Sequence, residues 1–233
     1  MLDKVKTKAT SIFVQATHGD IAKIKRARLT YLKEDALLAI KKEVQRIEAK
    51  QVPGILLEAG CALGGSAILM GLNKSGSRNL RVYDVFGMIP APSERDDDDV
   101  QQRYETIRSG QSRGIDGGKY YGYEEDLYTK VSNSFDSCGV PAGSNHIDLI
   151  KGLFEDTLDI DQPVALAHID CDWYDSVMTC LERILPQLSP GGVAIIDDYY
   201  IWSGCRKATD DYLAKHSEFK TQKVARKLHI TRK

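Results

Sequence analysis

Two pairs of aspartates, each placed directly after an apolar run, are the residues of this chain best suited to chemistry. Asp170 and Asp172 follow one run, and Asp197 and Asp198 follow another. Such runs are typical of parallel strands covered on both faces, and ligands bind at the carboxyl ends of such strands. Two carboxylates about 4 Å apart repel by roughly 4 kcal/mol at an effective dielectric near 20. The cluster therefore needs protons, a basic partner or a divalent cation, and we expect the cation.

The chemistry of these side chains favours a hard metal ion. An oxygen-only ligand set suits Mg²⁺, which keeps several waters and accepts substrate oxygens. Zinc and copper are less suited because no histidine or cysteine need join. Alternatively, Asp197 and Asp198 cap the strand end and the next helix, but a cap needs only one carboxylate. His168, just before the first pair, is expected to be a core or supporting residue rather than a base.

A glycine-bearing turn lies between an apolar run and a predicted helix, from Glu58 to Ser66. Gly60 and Gly64 let the backbone approach a ligand, and the helix N-terminus offers free amide donors. The order E-x-G-x-x-x-G-G departs from the GxGxxG dinucleotide fingerprint. Glu58 would repel a pyrophosphate but suits a cationic, hydroxyl-rich ligand such as S-adenosylmethionine, and Asp84 at the next strand end suits ribose hydroxyls. The alternative is a tight turn with no ligand.

The elements that position these residues are predicted from hydrophobic spacing. Helical faces are predicted at Ala9–Ala16, Leu37–Ile47, Ala67–Met70, Val177–Leu188 and Ala208–His216; strands at Ile55–Glu58, Leu80–Asp84, Ile147–Ile150, Val164–Asp170 and Val193–Ile196; and a closing hairpin at Phe219–Val224 and Lys227–Ile230. The alternation of strands and helices predicts a doubly wound, mostly parallel α/β sheet. We expect one domain over residues 1–233, with N-terminal helices in residues 1–50.

Residues 85–145 differ from the rest of the chain and are predicted to form an insertion over the substrate. They carry the acidic run Asp96–Asp99, a glycine-rich loop from Gly110 to Gly118 and several tyrosines. We interpret the acidic run as a solvated loop rather than a second metal site. One or two helices are expected here, one of them over residues 127–135.

Composition excludes several classes of protein. The 32 basic and 33 acidic residues give a net charge of −1, which provides no field for nucleic acid or an anionic membrane. The five cysteines are odd in number and show no zinc-like spacing. The N-terminus lacks the apolar core of a signal peptide. We therefore expect a cytoplasmic protein without nucleic-acid or membrane partners.

Five segments together resemble the macrocin O-methyltransferase (TylF/MycF-like) family. They are LEAGCALGGSAI, VYDVFG, KGLFEDTL, HIDCDWYDSV and PGGVAIIDDYYIWSGCRKATDDY, within residues 50–215. The resemblance implies a class I, Rossmann-like methyltransferase fold with seven strands and an antiparallel closing strand. It also implies S-adenosylmethionine, a divalent metal that is usually magnesium, and methylation of a sugar hydroxyl of a natural product.

The resemblance also implies roles for individual residues. Asp170, Asp197 and Asp198 match the metal ligands, and Asp170 is expected to border the cofactor as well. Asp172 matches the candidate general base, although it could instead hold a water beside the metal. Trp173 either walls the cofactor site or packs in the core.

Other functions stay open from the sequence alone. The nearest alternative is a metal-dependent methyltransferase acting on a catechol or other phenol. More distant alternatives are a nicotinamide-dependent oxidoreductase, which the order of the glycines disfavours, and a non-catalytic S-adenosylmethionine-binding protein, which has no use for an acidic cluster. The expected partner is a small-molecule or glycosylated hydroxyl substrate, with a homodimer or larger homo-oligomer as a further expectation.

Overall fold

A single seven-stranded sheet organises the chain. The computed structural model describes residues 18–233, so the predicted helical face at Ala9–Ala16 lies outside the described residues. The strands are β1 (Ile55–Ala59), β2 (Leu80–Asp84), β3 (Ile147–Lys151), β4 (Val164–Ile169), β5 (Leu188–Ile196), β6 (Phe219–Val224) and β7 (Lys227–Arg232). Their order is β3-β2-β1-β4-β5-β7-β6; β1 to β5 run parallel, and β7 is antiparallel to β5 and to β6. The predicted fold class is confirmed.

Helices cover both faces of the sheet. They are α1 (Gly19–Arg26), α2 (Glu34–Ala49), α3 (Gly65–Asn73), α4 (Asp98–Arg108), α5 (Leu127–Cys138), α6 (Phe154–Thr157), α7 (Tyr174–Ile184) and α8 (Ser203–Leu213). The apolar faces of α1, α2, α3 and α5 pack in one core, and those of α7 and α8 pack in the other. None of the helices within residues 18–233 is long and apolar enough to cross a membrane.

Most predicted elements are present, although several boundaries differ: α8 spans Ser203–Leu213 rather than Ala208–His216, and the boundary between α7 and β5 has moved. The predicted helix through Leu188 ends at Ile184, and a short 3₁₀ turn over Leu185–Gln187 follows it. Pro186 lies in this turn, where its missing N–H cannot continue an α-helical ladder. Leu188 instead pairs with Val164 and begins β5, so the apolar side chain that fitted the helical stripe belongs to the sheet.

The interpretation of Asp96–Asp99 as a solvated loop is confirmed for the exposure of Asp97, Asp98 and Asp99 but is wrong for Asp96, which is buried, and for the loop, because α4 begins at Asp98. The carboxylate of Asp96, only 6% exposed, accepts the N–H of Tyr174 at 2.8 Å and that of Ser93 at 3.0 Å. Asp99 accepts the N–H of Ser203 at 3.0 Å. Tyr174 and Ser203 are the first residues of α7 and α8. Asp96 and Asp99 therefore accept backbone N–H groups that have no acceptor within their own helices. The run thereby docks the insertion beside the strand tips.

Candidate active site at the strand tips

Parallel pairing brings the predicted acidic residues to one edge of the sheet. Ala59 on β1 pairs with Ile169 on β4, which pairs with Ile196 on β5. The N–H of Asp170 bonds to the Ala59 carbonyl at 2.9 Å, and the N–H of Asp197 bonds to the Ile169 carbonyl at 2.9 Å. The ends of the three strands are therefore side by side. The four aspartates that follow β4 and β5, here called the tip cluster, lie together as the sequence predicts.

Among residues 18–233, only Asp197 of the tip cluster forms an ion pair, so Asp170, Asp172 and Asp198 have no basic group in direct contact. One carboxylate oxygen of each of Asp170, Asp172 and Asp198 lies within 4.8 Å of the others. Within residues 18–233, Oδ2 of Asp198 is buried and has no hydrogen-bond partner. Burial and the neighbouring carboxylates raise the pKa of Asp170 and of Asp198 well above the ordinary value. The group therefore holds protons or accepts a cation.

Asp172 differs from the other members of the tip cluster in its backbone conformation and in its side-chain pKa. Its φ of +61° lies in the left-handed region, which aspartate tolerates better than most residues and which is enriched at functional sites. Burial, followed by the charge of Asp170, raises the pKa of Asp172 to about 7. A carboxylate with this pKa is well matched to proton transfer near neutral pH.

Asp197, the fourth member, belongs to a buried polar relay that crosses the sheet. Ser66 Oγ donates to Glu58 Oε1, and His168 Nδ1 lies 3.1 Å from the same oxygen. Nε2 of His168 lies 3.4 Å from Asp197 Oδ1, and Lys227 Nζ donates to Asp197 Oδ2. Both oxygens of Asp197 are therefore engaged within the protein.

The relay is balanced in charge. Burial alone lowers the pKa of His168, but Glu58 and Asp197 outweigh burial and raise it well above the ordinary value. A protonated His168 would donate from both ring nitrogens, one to Glu58 and one to Asp197. Two anions, Glu58 and Asp197, face two cations, His168 and Lys227. The hydrogen bond from His168 and the Lys227 ammonium overcome the effect of burial and lower the pKa of Asp197.

The glycine turn packs directly against the tip cluster. A Cβ on Gly60 would lie 2.0 Å from the carbonyl oxygen of Asp170, so only glycine permits this approach of β1 to β4. Asp84 Oδ2 accepts the N–H groups of Cys61 at 2.7 Å and Ala62 at 3.2 Å, and Oδ1 accepts that of Phe86 at 2.7 Å. Asp84 thus holds the turn in place, and its carboxylate lines the cavity.

The profile of the macrocin O-methyltransferase (TylF) family matches residues 16–224. The chain belongs to this family. It is 32% identical over 171 residues to mycinamicin III 3''-O-methyltransferase of Micromonospora griseorubida, a match that covers 71% of this chain and 62% of the relative. It is 30% identical over 177 residues to 8-demethyl-8-(2,3-dimethoxy-alpha-L-rhamnosyl)-tetracenomycin-C 4'-O-methyltransferase of Streptomyces olivaceus, covering 74% of this chain and 63% of the relative.

The chain therefore spans less than two thirds of the length of either TylF-family relative. Among solved structures, the O-methyltransferase NovP is similar with a TM-score of 0.72 and 24% identity, over 88% of this chain and 82% of that one. At this identity the likeness concerns the fold.

A cavity of about 840 Å³ joins the glycine turn to the tip cluster in this TylF-family chain. Seven of the predicted site residues line it: Gly60, Ser66, Asp84, Asp170, Asp172, Asp197 and Asp198. Glu58 and Gly64 do not. Glu58 is fully buried and faces Ser66 and His168, so the predicted cofactor contact is replaced by a role inside the relay. Gly64, at φ +87°, precedes α3 and packs near Val131.

Aromatic side chains from the insertion and from the segments after β4 and β5 form a wall of the same cavity. Trp173 lines it, donates from Nε1 to the Pro90 carbonyl at 3.0 Å and packs edge-on against Trp202. Tyr120 and Tyr121, from the predicted tyrosine cluster, also line the cavity. Sequence reasoning missed Arg103 and Lys227, which line the cavity from α4 and the closing hairpin, because neither lies in a motif.

Proposed function

We propose that this chain is an S-adenosylmethionine- and divalent-metal-dependent O-methyltransferase acting on a hydroxyl, in particular that of a sugar moiety in a natural product or glycan. The observation that carries the proposal is the uncompensated group of Asp170, Asp172 and Asp198, which faces the same cavity as the glycine turn. Family membership supports methyl transfer over a nicotinamide-dependent oxidation. The two curated relatives are named for O-methylation of glycosylated natural products, which supports the sugar acceptor.

The glycine-turn end of the cavity suits the cofactor. S-adenosylmethionine would supply an electrophilic methyl group on a sulfonium. Gly60 leaves room for a ligand beside the backbone, and Ser66 lines the cavity in the first turn of α3. Asp84 lines the cavity at the end of β2, where its carboxylate would face a ribose hydroxyl. The acidic surroundings suit the positive charge of a sulfonium.

The tip cluster suits a hard divalent cation. Asp170, Asp197 and Asp198 would hold it, with the unpartnered Oδ2 of Asp198 as the strongest indication. Lys227 would share Asp197 with the metal. Bound Mg²⁺ would act as a Lewis acid that lowers the pKa of an acceptor hydroxyl.

Asp172 would remove the proton of the acceptor. Its pKa of about 7 leaves a large ionised fraction at neutral pH, and the carboxylate lies in the cavity wall beside Asp170. Arg103 and the aromatic wall would position the acceptor and exclude water. Because attack requires the reacting atoms about 3 Å apart and aligned, this positioning contributes much of the rate.

Methyl-labelled S-adenosylmethionine and a panel of acceptors test the proposal. We expect transfer to glycosides, loss of transfer after exhaustive chelation and recovery on adding Mg²⁺. S-adenosylhomocysteine should still bind to the chelated protein by calorimetry. Full activity after chelation would contradict the proposed dependence on a divalent metal. Transfer confined to catechols would replace the sugar acceptor by a phenol, and binding of NADH in place of S-adenosylhomocysteine would contradict methyl transfer altogether.

A further inference from the structure

Arg103 is a half-buried cation of the cavity wall that forms no ion pair with any of the residues from 18 to 233. Its guanidinium carbon lies 5.6 Å above the ring of Tyr120, and among residues 18–233 the side chain forms neither an ion pair nor a hydrogen bond. Arg108, on the same helix, pairs with Glu105 at 2.7 Å. A guanidinium has five donors, and removing it from water without acceptors is costly. Its position is therefore best explained by a ligand that supplies the acceptors.

Arg103 lies near the proposed base. Its charge acts on the carboxylate of Asp172 and on the hydroxyl of Tyr31. An acceptor hydroxyl that reaches Asp172 would therefore bring the rest of the acceptor close to Arg103.

The closing hairpin adds a second cation without a carboxylate partner. Nζ of Lys223 lies 4.2 Å above the ring of Tyr200, and both residues line the cavity. No ion pair involves Lys223 in the part of the chain that the structure describes. The turn after it has Ala225 at φ +47° and Arg226 at φ +63°, although such two-residue turns favour asparagine and glycine. Strain of this kind is retained more often at ligand sites than elsewhere.

We propose that the acceptor carries an oxyanion, either a diphosphate or a carboxylate, which binds to Arg103, with Lys223 as a second contact at the rim of the cavity. This inference rests on the proposed methyl transfer. The planar fork of arginine matches a carboxylate or phosphate through two parallel hydrogen bonds. A neutral acceptor would leave the guanidinium unpaired. The net charge of −1 provides no general attraction for anions, so the binding depends on these side chains.

Calorimetry on the full chain, saturated with S-adenosylhomocysteine in metal-free and phosphate-free buffer, tests the proposal without methyl transfer. The probes are UDP for the diphosphate, methyl glucuronoside for the carboxylate and methyl glucoside as the neutral control. We expect saturable binding of one anionic probe and none of methyl glucoside at the same concentration. The anionic probe that binds identifies which oxyanion the site accepts.

Matched variants assign the binding to the named residues. Arg103→Gln should weaken the anionic probe roughly 10- to 100-fold, as expected for lost hydrogen bonds to a charged group. Arg103→Lys keeps the positive charge but cannot form two parallel hydrogen bonds. Its loss of affinity for the anionic probe should therefore be smaller than that of Arg103→Gln. Lys223→Gln should weaken binding roughly two- to fivefold, the effect of an exposed ion pair. Arg108→Gln on the same helix and Lys220→Gln on the same strand should leave the affinity unchanged.

Three results would overturn the inference: no saturable binding of either anion, equal binding of the neutral glycoside, or an affinity that Arg103→Gln and Arg103→Lys both leave unchanged. Binding of S-adenosylhomocysteine is measured first in every variant, which also reports on folding. If the unmodified protein does not bind S-adenosylhomocysteine, the proposed methyl transfer fails. If it does bind, and anion binding is absent or independent of Arg103, only the present inference fails.

Discussion

Two groups of aspartates lie near each other in this fold, and their surroundings are opposite. The tip cluster gathers four carboxylates at the ends of β4 and β5, and within residues 18–233 three of them form no ion pair. The run Asp96–Asp99 carries as many acidic residues. Its two engaged members, Asp96 and Asp99, accept N–H groups at the starts of α7 and α8.

The difference shows that the available donors, rather than the density of acidic residues, decide which carboxylates can hold a ligand. Helix N-termini supply several orphan N–H groups, so a carboxylate placed there is satisfied by the backbone. Whereas the turn beside β2 provides three such donors to Asp84, the ends of β4 and β5 provide few to the tip cluster. Carboxylates collected there keep free lone pairs, as Oδ2 of Asp198 does. The same residue type is therefore structural in one group and available for chemistry in the other.

The largest expected effect comes from Asp198→Asn in the tip cluster. We expect the affinity for Mg²⁺ to fall at least 100-fold, or about 2.7 kcal/mol, while S-adenosylhomocysteine binding is retained. The metal-free variant should be no less stable than the unmodified protein because the substitution removes a repelled charge. Calorimetry with Mg²⁺ and thermal unfolding measure both quantities, with Asp98→Asn as the exposed control. A large loss of metal-free stability would show that Asp198 has a structural role like that of Asp96.

Asp96→Asn should have the reverse profile. Both carboxylate oxygens of Asp96 accept backbone N–H groups. The side-chain amide of asparagine has only one oxygen, so one of these N–H groups would lose its acceptor. We expect the free energy of unfolding to fall by about 1–3 kcal/mol, with Mg²⁺ affinity changed little. Asp98→Asn, in the same run, should change the free energy of unfolding by less than about 0.5 kcal/mol. Denaturant titrations check both values, and equal losses in the two variants would contradict the docking role.

The pH dependence of metal binding separates the two groups further. Carboxylates with raised pKa, such as Asp172 at about 7, must lose protons before they bind a cation. In the metal-free protein they bind more protons folded than unfolded, so their contribution to stability falls as the pH rises from about 4 through their folded pKa. We expect roughly tenfold tighter Mg²⁺ binding, and a larger rise in Tm on adding Mg²⁺, at pH 8 than at pH 6. An equal Tm shift at pH 6 and pH 8 would contradict raised pKa values in the tip cluster.

The smallest expected effect belongs to Asp99→Asn. The contact with Ser203 is exposed, so water replaces it readily. We expect a loss of about 0.5 kcal/mol in the free energy of unfolding, near the lower limit for a helix cap. The hydroxyl of Ser203 also donates to Asp99. The double variant with Ser203→Ala should therefore lose no more than the larger single loss, because the two side chains form one contact. If the losses of the two single variants added up in the double variant, the two side chains would contribute through different contacts.

The strand-tip site is predictable from the sequence because strands that are neighbours in a parallel sheet end at the same edge. Asp84, Asp170 and Asp198 each follow an apolar run whose composition identifies a strand. The carboxylate of Asp84 and the tip cluster line one cavity, as this reasoning predicts.

The partners of these residues depend on long-range packing and could not be predicted in the same way. Lys227 reaches Asp197 only because β7 enters the sheet beside β5. Asp96 reaches Tyr174 across 78 positions of the chain. Glu58 faces inward because β1 pairs with β4 in the register that places His168 opposite it. No local pattern of residue types encodes any of these three contacts.

The buried relay from Ser66 through Glu58, His168 and Asp197 to Lys227 limits how this protein can change during evolution. Replacing one charged residue of the relay by a neutral one leaves its partner buried without a counter-charge. A single substitution elsewhere in the protein does not restore that charge. We therefore expect the five positions to vary as a set, with viable replacements exchanging an acid together with its base. Related chains that carry a neutral residue in place of Lys227 should also depart from glutamate, histidine or aspartate at the matching positions.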